Sequence, residues 1–124
     1  MADLEDAMRI AAALPGVAAC EGMAVRNKGK ERGFAWTWKE RIDPKKPRVP
    51  NLEVLAIRTA NTDDKEALIA AEPEKFFTEP HYNGYPAVLV RLAKIDLDEL
   101  EELLIDGWRS QAPRELVQEF DNSR

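Results

Sequence analysis

The sequence predicts an α+β domain, a mainly antiparallel sheet flanked by helices in the order α-β-β-β-α-β-β-α-α. Three observations carry this. Apolar residues recur at helical spacing behind acidic starts near the N-terminus, in the middle and near the C-terminus. The segments between them change to a period of two. The chain has 124 residues, 44% hydrophobic and 33% charged, which suits one folded domain (domains cluster near roughly 100–150 residues) and not a disordered chain.

Asp3, followed three residues later by Asp6, opens the first helix, where acidic groups suit the helix dipole. Leu4, Ala7, Met8, Ala11 and Leu14 form its apolar face, and Pro15-Gly16 stops it. A strand then runs toward a turn flanked by Gly29 and Gly33. Phe34, Trp36 and Trp38 alternate with Ala35 and Thr37, which predicts a strand with three aromatics on one face. Leu52 to Ile57 is apolar on both parities and predicts a buried strand. Between these two, Asp43 to Pro50 holds three prolines and predicts a long basic hairpin loop. Thr62 with Asp63-Asp64 opens a short helix that ends before Pro73. Phe76-Phe77-Thr78 and Ala87 to Leu92 predict two strands about a turn at His81 to Pro86. Asp96 and Glu99 have capping-box spacing, and Leu97, Leu100, Leu103, Leu104 and Trp108 line the helix they begin. Ala112-Pro113 separates it from a last helix with Leu116, Val117 and Phe120 on its apolar face.

The formal net charge of −5 is unevenly placed. Arg26 to Arg48 contains nine basic and three acidic residues, a local +6, and the rest of the chain carries nine basic and 20 acidic, or −11. A positive lobe on a negative body can steer an anionic partner to one face. The same lysines can equally serve to keep a sheet edge from pairing with another chain.

Several chemistries lack their residues. One Cys makes no internal disulfide, and one Cys with one His makes no zinc cage. His81 is the one imidazole, nothing places Cys20 beside it, and no catalytic constellation emerges. The acidic runs at Asp3-Glu5-Asp6 and Asp96 to Glu102 read as helix caps and solvated faces, so no metal or other cofactor is expected. Gly29 and Gly33 lie in a hairpin, not between a strand and a helix, so no phosphate loop is expected either. No apolar stretch is longer than Ile10 to Leu14, far short of the ~20 residues that span a bilayer, and the N-terminus is acidic where a signal peptide is basic. The expectation is a non-catalytic cytoplasmic protein with no membrane partner. Phe34, Trp36 and Trp38 lie within the basic stretch, where they form either part of the core or a platform for stacked bases; core is the expectation.

Taken together, Pro80-His81-Tyr82-Asn83-Gly84-Tyr85-Pro86-Ala87-Val88-Leu89-Val90-Arg91-Leu92, with Leu14-Pro15-Gly16 before it and Asp98-Glu99-Leu100 through Trp108 after it, resembles the MmcQ/YjbR family of small bacterial proteins. The resemblance covers nearly the whole chain. Ala87 stands where the family commonly carries tryptophan, and the proline-rich hairpin is longer than is typical. The resemblance implies a CyaY-like, double-wing α+β fold and DNA as partner, with no enzymatic activity. On that reading Arg26, Lys28, Lys30 and Arg32 on one wing, and Arg41, Lys45, Lys46 and Arg48 on the other, meet phosphates without regard to base sequence. The alternative is a cleft near His81, Tyr82 and Tyr85, with Arg91, that binds a protein or small ligand. A purely structural account of the same motif has the two tyrosine hydroxyls tying the turn to the backbone.

Overall fold

Asp3 caps the first helix in the way its spacing from Asp6 implies. Its carboxylate accepts from the Asp6 N–H at 2.9 Å, and the Asp6 carboxylate accepts from the Asp3 N–H at 3.1 Å. The computed structural model describes residues 2–123. In order they form α1 (Leu4–Ala12), β1 (Ala24–Asn27), β2 (Lys30–Gly33), β3 (Ala35–Glu40), β4 (Val49–Arg58), α2 (Thr62–Ala71), β5 (Phe76–Phe77), β6 (Ala87–Arg91), α3 (Leu97–Gln111) and α4 (Arg114–Asn122). Short 3-10 turns occupy Pro80–Tyr82 and Leu92–Lys94. The class is α+β.

All strand pairs are antiparallel. β1 and β2 make a separate ribbon, and the main sheet has the order β3-β4-β6-β5. The first two helices are therefore separated by four strands, one more than the sequence reading counts. The extra strand arises because the chain reverses at Lys28-Gly29 alone, and Gly33 ends β2 instead of flanking the turn. Lys28 and Gly29 have φ of 53° and 80°, the two-residue mirror-image turn that matches strand twist.

Both faces of the main sheet are covered, which explains an apolar run of both parities in β4. Leu55 and Ile57 point with Phe34, Val88 and Val90 toward α1 and α3, where Leu100, Leu104 and Trp108 meet them. Val54 and Ala56 point the other way, with Trp38 and Leu89, and Trp36, Phe77 and Tyr82 pack on that side. The three aromatics at 34, 36 and 38 thus do not share one face. Phe34 lies just before β3 and enters the helix-side core, while Trp36 and Trp38 occupy the opposite side. The buried part of β4 starts at Val54, where pairing with β6 begins, and Leu52 is 62% exposed. Pro50 is tolerated in β4 because its flank away from β3 has no β6 partner there.

α3 lies unusually close to the sheet at Gly107. A Cβ built there would come within 3.0 Å of the Arg58 carbonyl oxygen and 3.2 Å of the Phe34 carbonyl oxygen. Next to it, the fully buried Trp108 donates its indole N–H to the Pro15 carbonyl at 2.9 Å, pinning the segment after α1. Asn27 donates to the Gln111 carbonyl at 2.9 Å and ties the ribbon to the end of α3. At the start of α3, Asp96 accepts from the Glu99 N–H at 2.8 Å, but the reciprocal bond of a capping box is not made. Glu99 turns instead to the Lys75 ammonium, 2.8 Å away, which also lies 2.6 Å from Glu72. Glu72 first, then Glu99, hold the Lys75 proton more firmly than in a free lysine. Among the described residues no helix is long and apolar enough to cross a membrane.

Gly107→Ala is expected to lower stability by about 1–2 kcal/mol in chemical denaturation, because overpacking against two backbone carbonyls outweighs the ~1 kcal/mol by which alanine favours a helix. An unchanged or raised midpoint contradicts the close approach. Lys28→Asn is expected to raise stability by about 0.5–1 kcal/mol, since asparagine tolerates the left-handed conformation that strains lysine.

Candidate functional site

The outer face of the sheet is where the sequence-selected motif lands. After β5 the chain crosses this face through the 3-10 turn at Pro80–Tyr82 and returns into β6, with Gly84 at a φ of 77° allowing the reversal. What holds this loop is a side chain from another element. Lys65, on the second turn of α2, is 3% exposed, and its ammonium donates to the Tyr82 carbonyl at 2.5 Å and the Tyr85 carbonyl at 2.9 Å. Burial pushes the Lys65 pKa below the ordinary lysine value. The charge is kept in place because its protons meet two carbonyl dipoles of the turn.

With its backbone fixed, the loop lays three rings beside Trp36. The Trp36 indole N–H donates to the Tyr82 hydroxyl at 2.9 Å. Tyr85 stands edge-on to Trp36 at 6.4 Å between centroids and to Tyr82 at 6.3 Å, and His81 stands 6.1 Å from Tyr82. The Arg58 guanidinium, at the end of β4, lies 5.1 Å from the Tyr85 ring centre and donates to its hydroxyl at 2.5 Å. The two tyrosine hydroxyls therefore tie the turn to Trp36 and Arg58, not to the backbone. The backbone tie comes from Lys65.

These rings line two adjoining clefts. One, of about 220 Å³, is bounded by Trp36, His81, Tyr82 and Tyr85. The other, of about 310 Å³, shares Trp36, His81 and Tyr82 with it and adds Thr37, Lys39 and Arg48. Arg48 reaches this place from the end of the proline-rich loop, donating to the Lys39 carbonyl at 3.0 Å and lying 3.8 Å from Glu79. The foot of the basic hairpin and the aromatic motif therefore border the same hollow.

Of the residues expected at a ligand cleft, His81, Tyr82 and Tyr85 are brought together and Arg91 is not. Arg91 sits over the Phe77 ring, 4.2 Å from its centre, and donates to the Pro73 and Glu74 carbonyls. Trp38 is closed off against Phe77 and 9% exposed, so of the two outer-face tryptophans only Trp36 lines the cleft.

The eight wing residues do not form one surface. In the ribbon, Arg26 faces the same side as its opposite Glu31, and the two pair at 3.3 Å. Lys30 and Arg32 lie on the other side, opposite Asn27 and Val25. In the second loop Arg41 donates to the Pro44 and Lys46 carbonyls, bracing the loop from within. Lys28, Lys30, Arg32, Lys45 and Lys46 are exposed and make no ion pair among the described residues. Among those residues, no three His, Cys, Asp or Glu side chains come together as a metal site.

Over 71 residues the chain is 51% identical to an uncharacterised protein of Mycobacterium tuberculosis and to one of Mycobacterium bovis. The aligned stretch covers 57% of this chain and 55% of each relative, so the chain spans about half the length of the curated relatives it matches. No family model and no solved structure matches it.

Lys65→Met is expected to lower stability by about 2 kcal/mol, since it strips two carbonyls of their donor without shrinking the side chain. It should also raise iodide quenching of tryptophan fluorescence as the loop lifts off Trp36. Unchanged stability and unchanged quenching together contradict the role given to Lys65.

Proposed function

We propose that the domain is a non-catalytic binder of single-stranded DNA, with a base received between Trp36, His81 and Tyr82 and phosphates met by the adjoining hairpin. The observation that carries this is the shared hollow, in which Lys39 and Arg48 of the basic hairpin line one wall and the motif aromatics the other. Single-strand binders pair a charged groove with rings that stack bases. His81 is exposed and Trp36 half-exposed, so each has a ring face to offer. Lys45 and Lys46, exposed on the same loop, extend the positive strip beyond the cleft. The resemblance of the His81-to-Pro86 motif to the MmcQ/YjbR family, with its implied DNA partner, points the same way. The −11 body limits affinity for any polyanion and makes binding strongly salt-dependent.

One observation favours a second reading, a small planar anion such as a mononucleotide. The cleft of about 310 Å³ lies at the small end of ligand-site volumes, and its Trp36–Tyr82 hydrogen bond holds it preformed.

Titration of the protein with oligothymidylate at low salt is expected to quench tryptophan fluorescence. His81→Ala should weaken binding by about tenfold, the scale of one stacked base, and Lys45→Glu with Lys46→Glu should weaken it and flatten the salt dependence. Saturation by thymidine monophosphate that ignores Lys45 and Lys46 selects the second reading. No quenching by either probe at tens of micromolar protein, a concentration where weak binding is visible, overturns both.

A further inference from the structure

A cavity of about 610 Å³ lies away from the aromatic cleft, between α2, α3 and the end of β4. That is within the ~300–1,000 Å³ of small-molecule sites. Its existence follows from the composition of α2. The one fully buried side chain of this helix is Lys65, aimed at the 82–85 turn, and Ala67 and Ala71 are too short to fill the space toward Leu103. Leu68 and Leu103, both half-buried, complete an apolar floor.

Charged groups of both signs stand around that floor: Arg58 and Arg109, Asp64 and Asp106. Arg109 is already answered, since Asp121 accepts from it at 2.6 and 3.1 Å. Arg58 is not. Its one side-chain hydrogen bond goes to the neutral Tyr85 hydroxyl, and it has no carboxylate within ion-pair distance among the described residues. Asp64 and Asp106 stand exposed at the rim without a close ion pair among the described residues, Asp106 near enough to Arg109 to help hold its proton.

We propose that this cavity binds a small zwitterion with an apolar side chain, an apolar α-amino acid. Its carboxylate meets the Arg58 guanidinium, its ammonium meets Asp106 and Asp64, and its side chain lies on Leu68 and Leu103. A carboxylate answers Arg58, an ammonium is attracted to the two exposed carboxylates at the rim, and the apolar floor takes the side chain, so the zwitterion matches all three parts of the lining. The cavity is separate from the cleft, although Arg58 also holds Tyr85, and the two readings use different probes, so either can fail alone.

Calorimetric titration of the whole protein with L-leucine tests it, beside 4-methylpentanoate, which lacks the ammonium, and 3-methylbutylamine, which lacks the carboxylate. Leucine is expected to give saturable heat, and each single-charge analogue to bind at least about tenfold more weakly, the scale of one lost charge-assisted contact. Asp106→Asn should weaken leucine while leaving 4-methylpentanoate unchanged. Ala67→Phe, at an exposed helix position that can fill the cavity, should abolish the heat with the thermal melt unaltered. Absence of saturable heat at millimolar leucine, equal binding of 4-methylpentanoate, or leucine binding that survives a folded Ala67→Phe each overturns the proposal. Should Ala67→Phe fail to fold, Asp106→Asn, a surface change, decides alone.

Discussion

A buried lysine ammonium is expensive to keep, and here it is kept where two backbone carbonyls of one turn converge on it. Lys65 joins α2 to the loop between β5 and β6, and the His81, Tyr82 and Tyr85 rings are carried on the backbone it holds. Besides it, the turn is tied by side chains, Tyr82 to Trp36 and Tyr85 to Arg58, and at its end by the Thr59 N–H, which donates to the Pro86 carbonyl at 2.8 Å. The side-chain ties are mutual, so they fix the rings relative to one another, and Lys65 fixes the group relative to the fold. The resulting hollow is preformed, which lowers the ordering entropy a ligand would otherwise have to offset.

Electrostatics acquires a sharper location in three dimensions. The +6 of residues 26 to 48 reads as one patch along the chain, but strand register divides it. Arg26 faces Glu31, Lys30 and Arg32 emerge on the other side of the ribbon, and Arg41 is taken up inside its own loop. What remains concentrated is the second hairpin, where Lys39 and Arg48 meet the aromatic cleft and Lys45 and Lys46 project beyond it. Exposed pairs such as Arg26–Glu31 contribute little to stability, so their main consequence is to remove charge from a partner's reach.

The fold was legible wherever a local rule decides it. Asp3 and Asp96 mark helix starts by capping chemistry, Pro113 marks one by its fixed backbone angle, and the period-two runs mark strands. Local rules do not decide the places where tertiary partners make the choice. Phe34 breaks alternation because the chain bends before β3, Leu52 is exposed because β6 reaches along β4 only as far as Val54, and Glu99 leaves its capping box for Lys75. Of the site, His81, Tyr82 and Tyr85 were visible as a motif. Arg58 and Lys65 were not, because an arginine ending a strand and a lysine between Asp64 and Glu66 look like ordinary surface. Only the crossing of α2 behind the loop turns that lysine inward.

The central claim is that the aromatic cleft and the proline-rich hairpin act as one recognition surface. Amide and indole chemical-shift mapping during oligothymidylate addition tests it most directly. The account expects the largest changes at the Trp36 indole N–H, at residues 80–85 and along residues 39–48, saturating together with one affinity. Changes confined to the β1–β2 ribbon, or cleft and hairpin signals that saturate at different concentrations, would contradict it.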